Sequence, residues 1–267
     1  MSLAEASLSI VNAFCGRLFR VHLQAHSIDE PAKIDEPAVD TETPTNEPVL
    51  DAALRRLQNH KIEIASLIDV GAAEGYWSGE FAKHFPGRHH LLVEANDIHQ
   101  PTLEKVCQEN KHWQFALTAI GGATGTAYFD GSDPLVGHLS NDAWNDNYRA
   151  CPVTTLDDLL EKYPVPAPFM IKLDTHGVEL PILSGATKTL KQTNAIVIEA
   201  YNFTFGEPAV PFWDLCRYML ELGFRPLDVF DLLYREVDSS FWQFDLLFAR
   251  SDLPLFKDNR FFIAGRH

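Results

Sequence analysis

Residues 67–77 read LIDVGAAEGYW, and this stretch decides the fold. An apolar run containing Asp69 is followed at once by Gly71 and Gly75, with two alanines between them. Glycine adopts backbone angles that other residues avoid, and small side chains allow a ligand to approach the main chain closely. The pattern predicts a buried strand that turns abruptly through a nucleotide-cofactor loop into a helix.

The loop resembles the acidic-x-Gly-x-Gly-x-Gly loop of class I S-adenosylmethionine (SAM) methyltransferases, with Ala73 at the middle glycine. The nearest alternative is the dinucleotide fingerprint Gly-x-Gly-x-x-Gly. It fits less well, because the spacing here is Gly71-x-x-x-Gly75 and because Asp69 would repel a pyrophosphate. A tight turn without a ligand stays open as a third interpretation, since short glycine motifs often arise by chance.

A second apolar run, RHHLLVEAN at residues 88–96, carries an acid at Glu94, 25 residues after Asp69. An acid about 20 residues past the glycine loop, at the tip of the second strand, accepts hydrogen bonds from ribose hydroxyls. We therefore expect Glu94 to bind the ribose of the cofactor. The alternative is a solvated carboxylate at the end of a strand.

The chain divides by composition into three parts. We expect a catalytic domain at residues 49–267, which is long enough to bury a large single core. Residues 28–48 hold seven acids against one lysine, with four prolines, which predicts a mobile linker, with an acidic binding tail as the alternative. Residues 1–27 include an amphipathic helix at 4–23, which we expect to pack on the domain or to form a homodimer. Attachment to a membrane surface is the other interpretation of that helix.

Composition also limits the partners. The formal net charge of −15 argues against a nonspecific nucleic-acid binder, because contacts to phosphate require clustered Lys and Arg. The apolar run of the first helix is too short for an integral membrane span. The four cysteines are scattered and show no paired spacing, which is typical of reduced thiols, so we expect a cytoplasmic protein.

Strand and helix patterns alternate along the domain, which predicts an α/β fold with a mostly parallel sheet. The predicted strands are residues 66–70, 90–94, 114–120, 169–174, 195–200, 225–230 and 241–250. The predicted helices are residues 51–60, 76–84, 98–110, 155–161, 179–191 and 212–222. The last two strands are expected to form a closing pair.

The second half of the chain resembles the FkbM family of SAM-dependent methyltransferases. PFMIKLDTHGVELPILSGA, at residues 168–186, is similar to that family's pattern I-K-x-D-x-x-G-x-E followed by a helix and a small-residue turn. VTTLDDLL (153–160), IEAYNF (198–203) and FDLLFAR (244–250) follow in the family's order. The resemblance covers roughly residues 51–250, and the chain departs from the pattern at Ala73 and His176.

This resemblance implies a seven-stranded class I sheet with an antiparallel last strand, and SAM as the cofactor. It also implies O-methylation of a hydroxyl on a sugar, glycolipid, polyketide or related small molecule. Two other functions stay open, a catalytically silent SAM-binding or scaffold protein and a nicotinamide-dependent oxidoreductase.

Ligands of open α/β sheets bind beyond the carboxyl ends of the strands, where the strand order reverses. Asp174 and His176 directly follow one such strand. We expect His176 to act as the general base, since imidazole accepts a proton near neutral pH, and Asp174 to orient it. A positioning role for His176 is the alternative. Lys172 is expected to point back along the flank of the sheet, and Glu179 to cap the next helix.

The residues expected to contact the cofactor are Asp69, Gly71, Ala72, Ala73, Gly75, Glu94, Ala95, Ile120 and Asp174. No metal ion is expected. Asp174, His176 and Glu199 nevertheless form an alternative set of ligands for a divalent cation, with nonspecific spacing.

Contacts to the acceptor are expected from irregular segments. Residues 130–149 are rich in Gly, Ser, Asn and Asp with interspersed aromatic residues, which predicts a lid over the site. The residues expected to bind the acceptor are His138, Ser140, Asn141, Tyr201 and Asn202. An ordinary solvent-exposed loop has the same composition.

Overall fold

The structure is a computed structural model that describes residues 49–133, 137–140, 142–203 and 209–260. The expected N-terminal helix at residues 1–27, the linker at 28–48 and the expected acceptor contact Asn141 lie outside the described residues.

The described chain alternates strands and helices over most of its length. The strands are β1 (Ser66–Val70), β2 (His89–Glu94), β3 (Trp113–Leu117), β4 (Ala119–Ile120), β5 (Gly125–Asp130), β6 (His138–Ser140), β7 (Arg149–Thr154), β8 (Phe169–Leu173), β9 (Thr193–Tyr201), β10 (Phe224–Tyr234) and β11 (Phe241–Arg250). The α-helices are α1 (Val49–Asn59), α2 (Tyr76–His84), α3 (Gln100–Glu109), α4 (Leu156–Lys162), α5 (Glu179–Ser184), α6 (Thr187–Leu190) and α7 (Phe212–Glu221). Short 3₁₀ helices occupy Asp97–His99 and Pro254–Lys257.

The main sheet has seven strands in the order β10-β11-β9-β8-β1-β2-β3. The pairs β1–β2, β1–β8, β2–β3 and β8–β9 are parallel, whereas β11 runs antiparallel to both β9 and β10. This topology confirms the predicted class I sheet and its antiparallel last strand. The strand order reverses between β1 and β8, so the carboxyl ends of these two strands form the switch point where ligands bind.

The central strands are buried on both faces because helices cover each side of the sheet. Every residue of β1 and β8 is buried. Successive residues belong to opposite cores: Leu67 and Met170 lie in one hydrophobic cluster, and Ile68 and Ile171 lie in the other. This alternation with period two explains why the strands read as continuous apolar runs.

A second sheet, with the order β4-β7-β5-β6, was not predicted. The predicted strand at 114–120 was wrong in extent, because Thr118 donates its amide to Glu94 O at 2.8 Å and the chain then leaves the main sheet. Ala119 pairs with Val153 instead. The predicted lid at 130–149 is in part a strand as well, since β6 pairs with β5. Such pairings join residues far apart in sequence, which local patterns do not reveal.

The predicted helix at 179–191 is two short helices, α5 and α6, that meet at Gly185 and Ala186. A Cβ atom on Gly185 would lie 2.7 Å from Gly121 O. The interruption therefore coincides with a close approach between this turn and the backbone that follows β4.

Cys107, Cys151 and Cys216 are free thiols, in agreement with the expectation of reduced cysteines for this part of the chain. Over the described ranges, no helix has the length and apolarity needed to cross a bilayer.

Candidate functional site

The glycine loop follows β1, and three of its residues adopt left-handed backbone angles. The φ angles are 77° at Gly71, 44° at Ala73 and 80° at Gly75. Gly71 and Ala72 both donate their amides to Val93 O, and Gly75 donates to Ala72 O at 2.7 Å. The loop is thus a tight turn held against the end of β2, which explains the need for two glycines.

Glu94 lies at the carboxyl end of β2 with its side chain turned toward this loop. Oε2 accepts the amide of Ala73 at 2.8 Å, and Oε1 accepts the amide of Asn96 at 2.7 Å. Only 8% of the residue is exposed. Each carboxylate oxygen can accept a second hydrogen bond, so the preorganised carboxylate retains capacity for ribose hydroxyls.

Asp69 is enclosed in β1, and its expected contact with the cofactor stays a prediction. It is fully buried and accepts a hydrogen bond from Ser78 Oγ at 2.7 Å, at the start of α2. Burial raises the pKa of Asp69, although Lys172 and Ser78 counteract this effect. Asp69 therefore stabilises the loop indirectly, because it holds the first turn of α2 in place.

Lys172 was expected on the flank of the sheet, and this expectation was wrong. Its ammonium lies in the switch region, 2.8 Å from Asp174 Oδ2 and 3.9 Å from Asp69 Oδ1. Burial opposes the charged form, but the carboxylates of Asp174, Asp69 and Asp245 outweigh it and raise the pKa of Lys172. A buried lysine is tolerated here because it is paired with acids on three strands or strand ends.

The segment after β8 carries Asp174 and His176 in a strained turn. His176 has a φ of 53° and Gly177 a φ of 109°. Glu179 Oε1 accepts hydrogen bonds from the Gly177 amide at 2.9 Å and from Thr175 Oγ1 at 3.0 Å. Glu179 thus fixes the loop at the start of α5, close to its expected capping role. Left-handed geometry at a histidine is uncommon and is often found at functional sites.

His176 contacts the end of β9. Its Nδ1 lies 3.1 Å from Glu199 Oε2, 3.3 Å from the Tyr201 hydroxyl and 3.7 Å from Asp174 Oδ1. Glu199 also accepts hydrogen bonds from Tyr201 Oη and from Gln243 Nε2 on β11. The sequence suggested Asp174 as the residue that orients the imidazole, whereas Glu199 lies nearer to it.

The side chain of Asp174 is partly enclosed by neighbouring strands but still reaches solvent, since 36% of it is exposed. Burial opposes its ionisation, but Lys172 and then His176 lower the pKa of Asp174 below its ordinary value. One ligand atom from each of Asp174, His176 and Glu199 lies within 4.8 Å of the other two, so the structure assembles the alternative metal-ligand set.

The expected acceptor contacts fall into different environments. Burial lowers the pKa of His138, on β6. The charge of the His176 ring lowers that pKa further. Ser140 Oγ accepts the Asp142 amide at 3.1 Å, and Asn202 Nδ2 donates to Phe241 O at 3.2 Å, so both stabilise local backbone. Tyr201 is only 6% exposed and offers its hydroxyl to Glu199 rather than an open stacking face.

The small sheet lies beside the cofactor loop. Asn96, two residues after Glu94, donates its side-chain amide to Gly131 O at 3.2 Å. Ala95 packs against the apolar cluster of this sheet. Ile120 is buried in the main core and belongs to β4, so it does not end a strand of the main sheet as expected.

Sequence reasoning missed the part that Lys172, Gln243 and Asp245 play at this site. The latter two lie on β11, and Gln243 pairs with Tyr201 and Asp245 with Glu199. Because β11 is antiparallel, its first residues reach the edge where the parallel strands end. The expected antiparallel direction of β11 could have indicated that Gln243 and Asp245 lie at this site.

The residues that are present fit SAM. The loop combines positive φ angles with small side chains, which allows close approach to the backbone, and Glu94 offers a held carboxylate beside it. The neighbourhood is rich in acids, with Asp69, Asp174 and Glu199 near a single lysine, which suits a sulfonium with an ammonium group better than a pyrophosphate.

Comparison with known proteins identifies the family. The family model described as "Methyltransferase FkbM domain" matches residues 69–226, more than half of the chain. That range contains the glycine loop, Glu94 and the residues around His176. No curated protein sequence matches the chain.

Solved structures with related folds have low sequence identity. The 1,6-didemethyltoxoflavin-N1-methyltransferase of Burkholderia thailandensis, with bound S-adenosylhomocysteine, has 13% identity over 85% of this chain and 99% of its own, with a TM-score of 0.44. The precorrin-6y C5,15-methyltransferase of Geobacter metallireducens has 12% identity over 79% and 92%, with a TM-score of 0.43. TrmK of M. capricolum, in complex with S-adenosylhomocysteine, has 8% identity over 73% and 67%, with a TM-score of 0.42.

Proposed function

This chain belongs to the FkbM methyltransferase family, and we propose on that premise that it transfers the methyl group of SAM to a hydroxyl oxygen of a small molecule. It is a SAM-dependent methyltransferase. The proposed part is the acceptor: a sugar, glycolipid, polyketide or related alcohol.

The observation that carries this proposal is the contact between the cofactor loop and the loop of His176. A Cβ atom on Gly71 would overlap the carbonyl oxygen of Asp174, so these two loops touch at the switch point. A proton acceptor on the second loop is then adjacent to a cofactor bound on the first. Such proximity is the main requirement for an in-line methyl transfer.

In the proposed mechanism Glu94 binds the ribose and the main chain of residues 71–75 lies along the cofactor. When bound, SAM would supply an electrophilic methyl group to the acceptor oxygen, with S-adenosylhomocysteine as the leaving group. His176 takes the hydroxyl proton on Nε2. Asp174 carries a negative charge on the same loop and is paired with the ammonium of Lys172. His138 contacts the acceptor from the small sheet.

The remaining proposals rest on the sequence. We place the methyltransferase domain at residues 49–267, after a helix at 1–27 and a linker at 28–48, and propose a homodimer formed through that helix. A cytoplasmic location and the absence of nucleic-acid partners are proposed from the cysteine pattern and the net charge of −15. The family match gives no support to a nicotinamide-dependent oxidoreductase.

The proposed acceptor class is tested by transfer of a labelled methyl group from SAM to sugars, glycolipids and polyketide alcohols. Each acceptor is paired with its deoxy analogue, which lacks the hydroxyl concerned. We expect a methyl ether with the alcohol and none with the analogue, identified by mass spectrometry and NMR. A product methylated on nitrogen or carbon would contradict O-methylation, and binding of SAM without transfer to any acceptor would favour the silent protein.

A further inference from the structure

We propose that Glu199 is a positioning residue that holds His176 in the Nδ1–H tautomer, so that Nε2 is the atom that accepts the proton of the acceptor hydroxyl. This inference rests on the proposed function, because it assigns a partner to its general base. It concerns a residue on β9, 23 positions after His176 in sequence.

Hydrogen bonding around Glu199 supports the assignment. The Tyr201 hydroxyl and the Nδ1 of His176 both lie against Oε2, and the Gln243 amide lies against Oε1. Gln243 Nε2 can only donate, and burial together with the Glu199 charge raises the pKa of Tyr201, so the phenol keeps its proton. Glu199 is therefore an acceptor at both oxygens, and the ring atom that faces it is the one that carries hydrogen.

Strand geometry explains why these groups meet. Glu199 and Tyr201 are two residues apart on β9, so their side chains share one face of the sheet. His176 has a left-handed φ of 53°, and its ring lies against the Glu199 carboxylate. Glu199 is 7% exposed, so its carboxylate is screened little by solvent.

Electrostatics favours the same arrangement during transfer. The groups near the ring are Asp174 on its own loop, Glu199 and Tyr201 on β9 and His138 on β6; Lys172 lies behind Asp174, and Glu179 on α5 holds the adjacent Gly177 amide. Loss of the hydroxyl proton to Nε2 would place a positive charge on the imidazole. Glu199 and Asp174 both lie beside that ring and stabilise the imidazolium that forms.

The test begins with the ring itself and needs no acceptor. Nitrogen-15 NMR of the full chain distinguishes the two neutral tautomers, and the His176 signals are assigned by their loss in His176→Asn. We expect the Nδ1–H form in the wild type. In Glu199→Gln the ring should titrate at lower pH and lose this tautomer preference. Glu161→Gln is the matched control, since the Glu161 side chain, on α4, is 67% exposed and pairs with Lys188.

Activity gives the second readout once an acceptor is found. Glu199→Gln should reduce kcat about 10- to 100-fold and shift the acidic limb of the pH–rate profile to lower pH. Glu199→Asp keeps the charge, so it should retain more activity than the glutamine variant. If Glu199→Gln does not fold, the aspartate variant is compared with the wild type and should show a smaller shift of the same sign.

Two results would overturn the proposal. One is an Nε2–H tautomer in the wild type, or titration of His176 that is identical in Glu199→Gln. The other is specific broadening of the His176 signals by stoichiometric Mn²⁺, abolished by Glu199→Gln, which would assign Asp174, His176 and Glu199 to a divalent cation. Failure to find an acceptor would count against the proposed function alone, because the NMR titration is independent of it.

Discussion

Gly71 and Asp174 approach so closely that a Cβ atom on the glycine would overlap the carbonyl oxygen of the aspartate. Gly71 begins the cofactor loop after β1, and Asp174 begins the loop of His176 after β8. The two neighbouring parallel strands therefore bring the glycine loop and the loop of His176 to one point. Any residue larger than glycine at position 71 must separate them.

The first prediction concerns this contact. Gly71→Ala should lower the free energy of unfolding by about 2 to 4 kcal/mol, because the methyl group meets backbone and the φ of 77° strains an alanine. It should also weaken SAM binding. Thermal melting and calorimetric titration measure both effects.

Gly79 is the matched control. It lies in α2, and a Cβ atom there meets no atom within 4 Å. Gly79→Ala should stabilise the protein by about 0.5 to 1 kcal/mol, because alanine favours helices. Equal melting temperatures for the two variants would show that the contact with Asp174 has no consequence.

The second prediction concerns Glu94. Glu94→Ala should weaken SAM binding by about 2 to 3 kcal/mol, or roughly 30- to 150-fold, because a charge-assisted contact to the ribose is lost. Glu94→Gln should also weaken binding, because its amide group would face either the Ala73 or the Asn96 N–H, which are both donors. Calorimetric titration measures the affinity, with Glu109→Gln on the exposed side of α3 as the control. Unchanged affinity in Glu94→Ala would remove this residue from the cofactor site.

The third prediction distinguishes base catalysis from positioning at His176. If the ring accepts the proton, His176→Ala should reduce turnover about 10²- to 10⁴-fold, leave SAM affinity nearly intact and abolish the acidic limb of the pH–rate profile. His176→Asn is the better-folded comparison, since asparagine tolerates left-handed geometry. Steady-state kinetics with asparagine in place of histidine decides the matter: turnover near the wild-type value with a raised KM would indicate positioning alone.

The fourth prediction concerns Asp245 and pH. Burial, and the nearby charges of Asp174 and Glu199, raise the pKa of Asp245 well above its ordinary value, although Lys172 counteracts them. In the unfolded chain the carboxyl loses its proton near pH 4, whereas the folded protein holds it to higher pH. Since the folded state then binds more protons, stability falls as pH rises through this interval.

Asp245→Asn removes that ionisation. The variant should match the wild type below about pH 4 and become more stable than it as pH rises, with a gain of about 2 to 4 °C in Tm per kcal/mol. Melting curves across this pH range test the trend, with the exposed Asp146→Asn as the control. A stability difference that shrinks with rising pH would contradict the raised pKa.

Much of the fold could be predicted because its signals are local. Strands β1 and β8 bury both faces, so they read as apolar runs, and the turn after β1 needs residues that accept positive φ, so it shows as Gly71 and Gly75. The distance along the chain to Glu94 reflects one crossover helix. These features depend on neighbours in sequence, and the structure agrees with them.

The parts that were missed depend on strand pairing. The small sheet forms because β4 and β5 both pair with β7, and these pairs join residues 20 to 34 positions apart in sequence. Lys172 was placed on the flank because alternation alone does not say which acids a buried ammonium will find. Its approach to Asp69 requires the register of β1 against β8.

The sequence by itself determined the strand–loop–helix proposed to bind the cofactor, the acid at the end of β2, and His176 two residues after the acid that follows β8, since each is encoded within a short segment. Only the tertiary structure decided what His176 contacts. Glu199 reaches it from β9, and Gln243 hydrogen-bonds Glu199 from the antiparallel β11, whose register sets Gln243 opposite Tyr201. The physical reason is that a hydrogen bond requires atoms about 3 Å apart, and for residues on separate strands the packing of the whole sheet sets that distance.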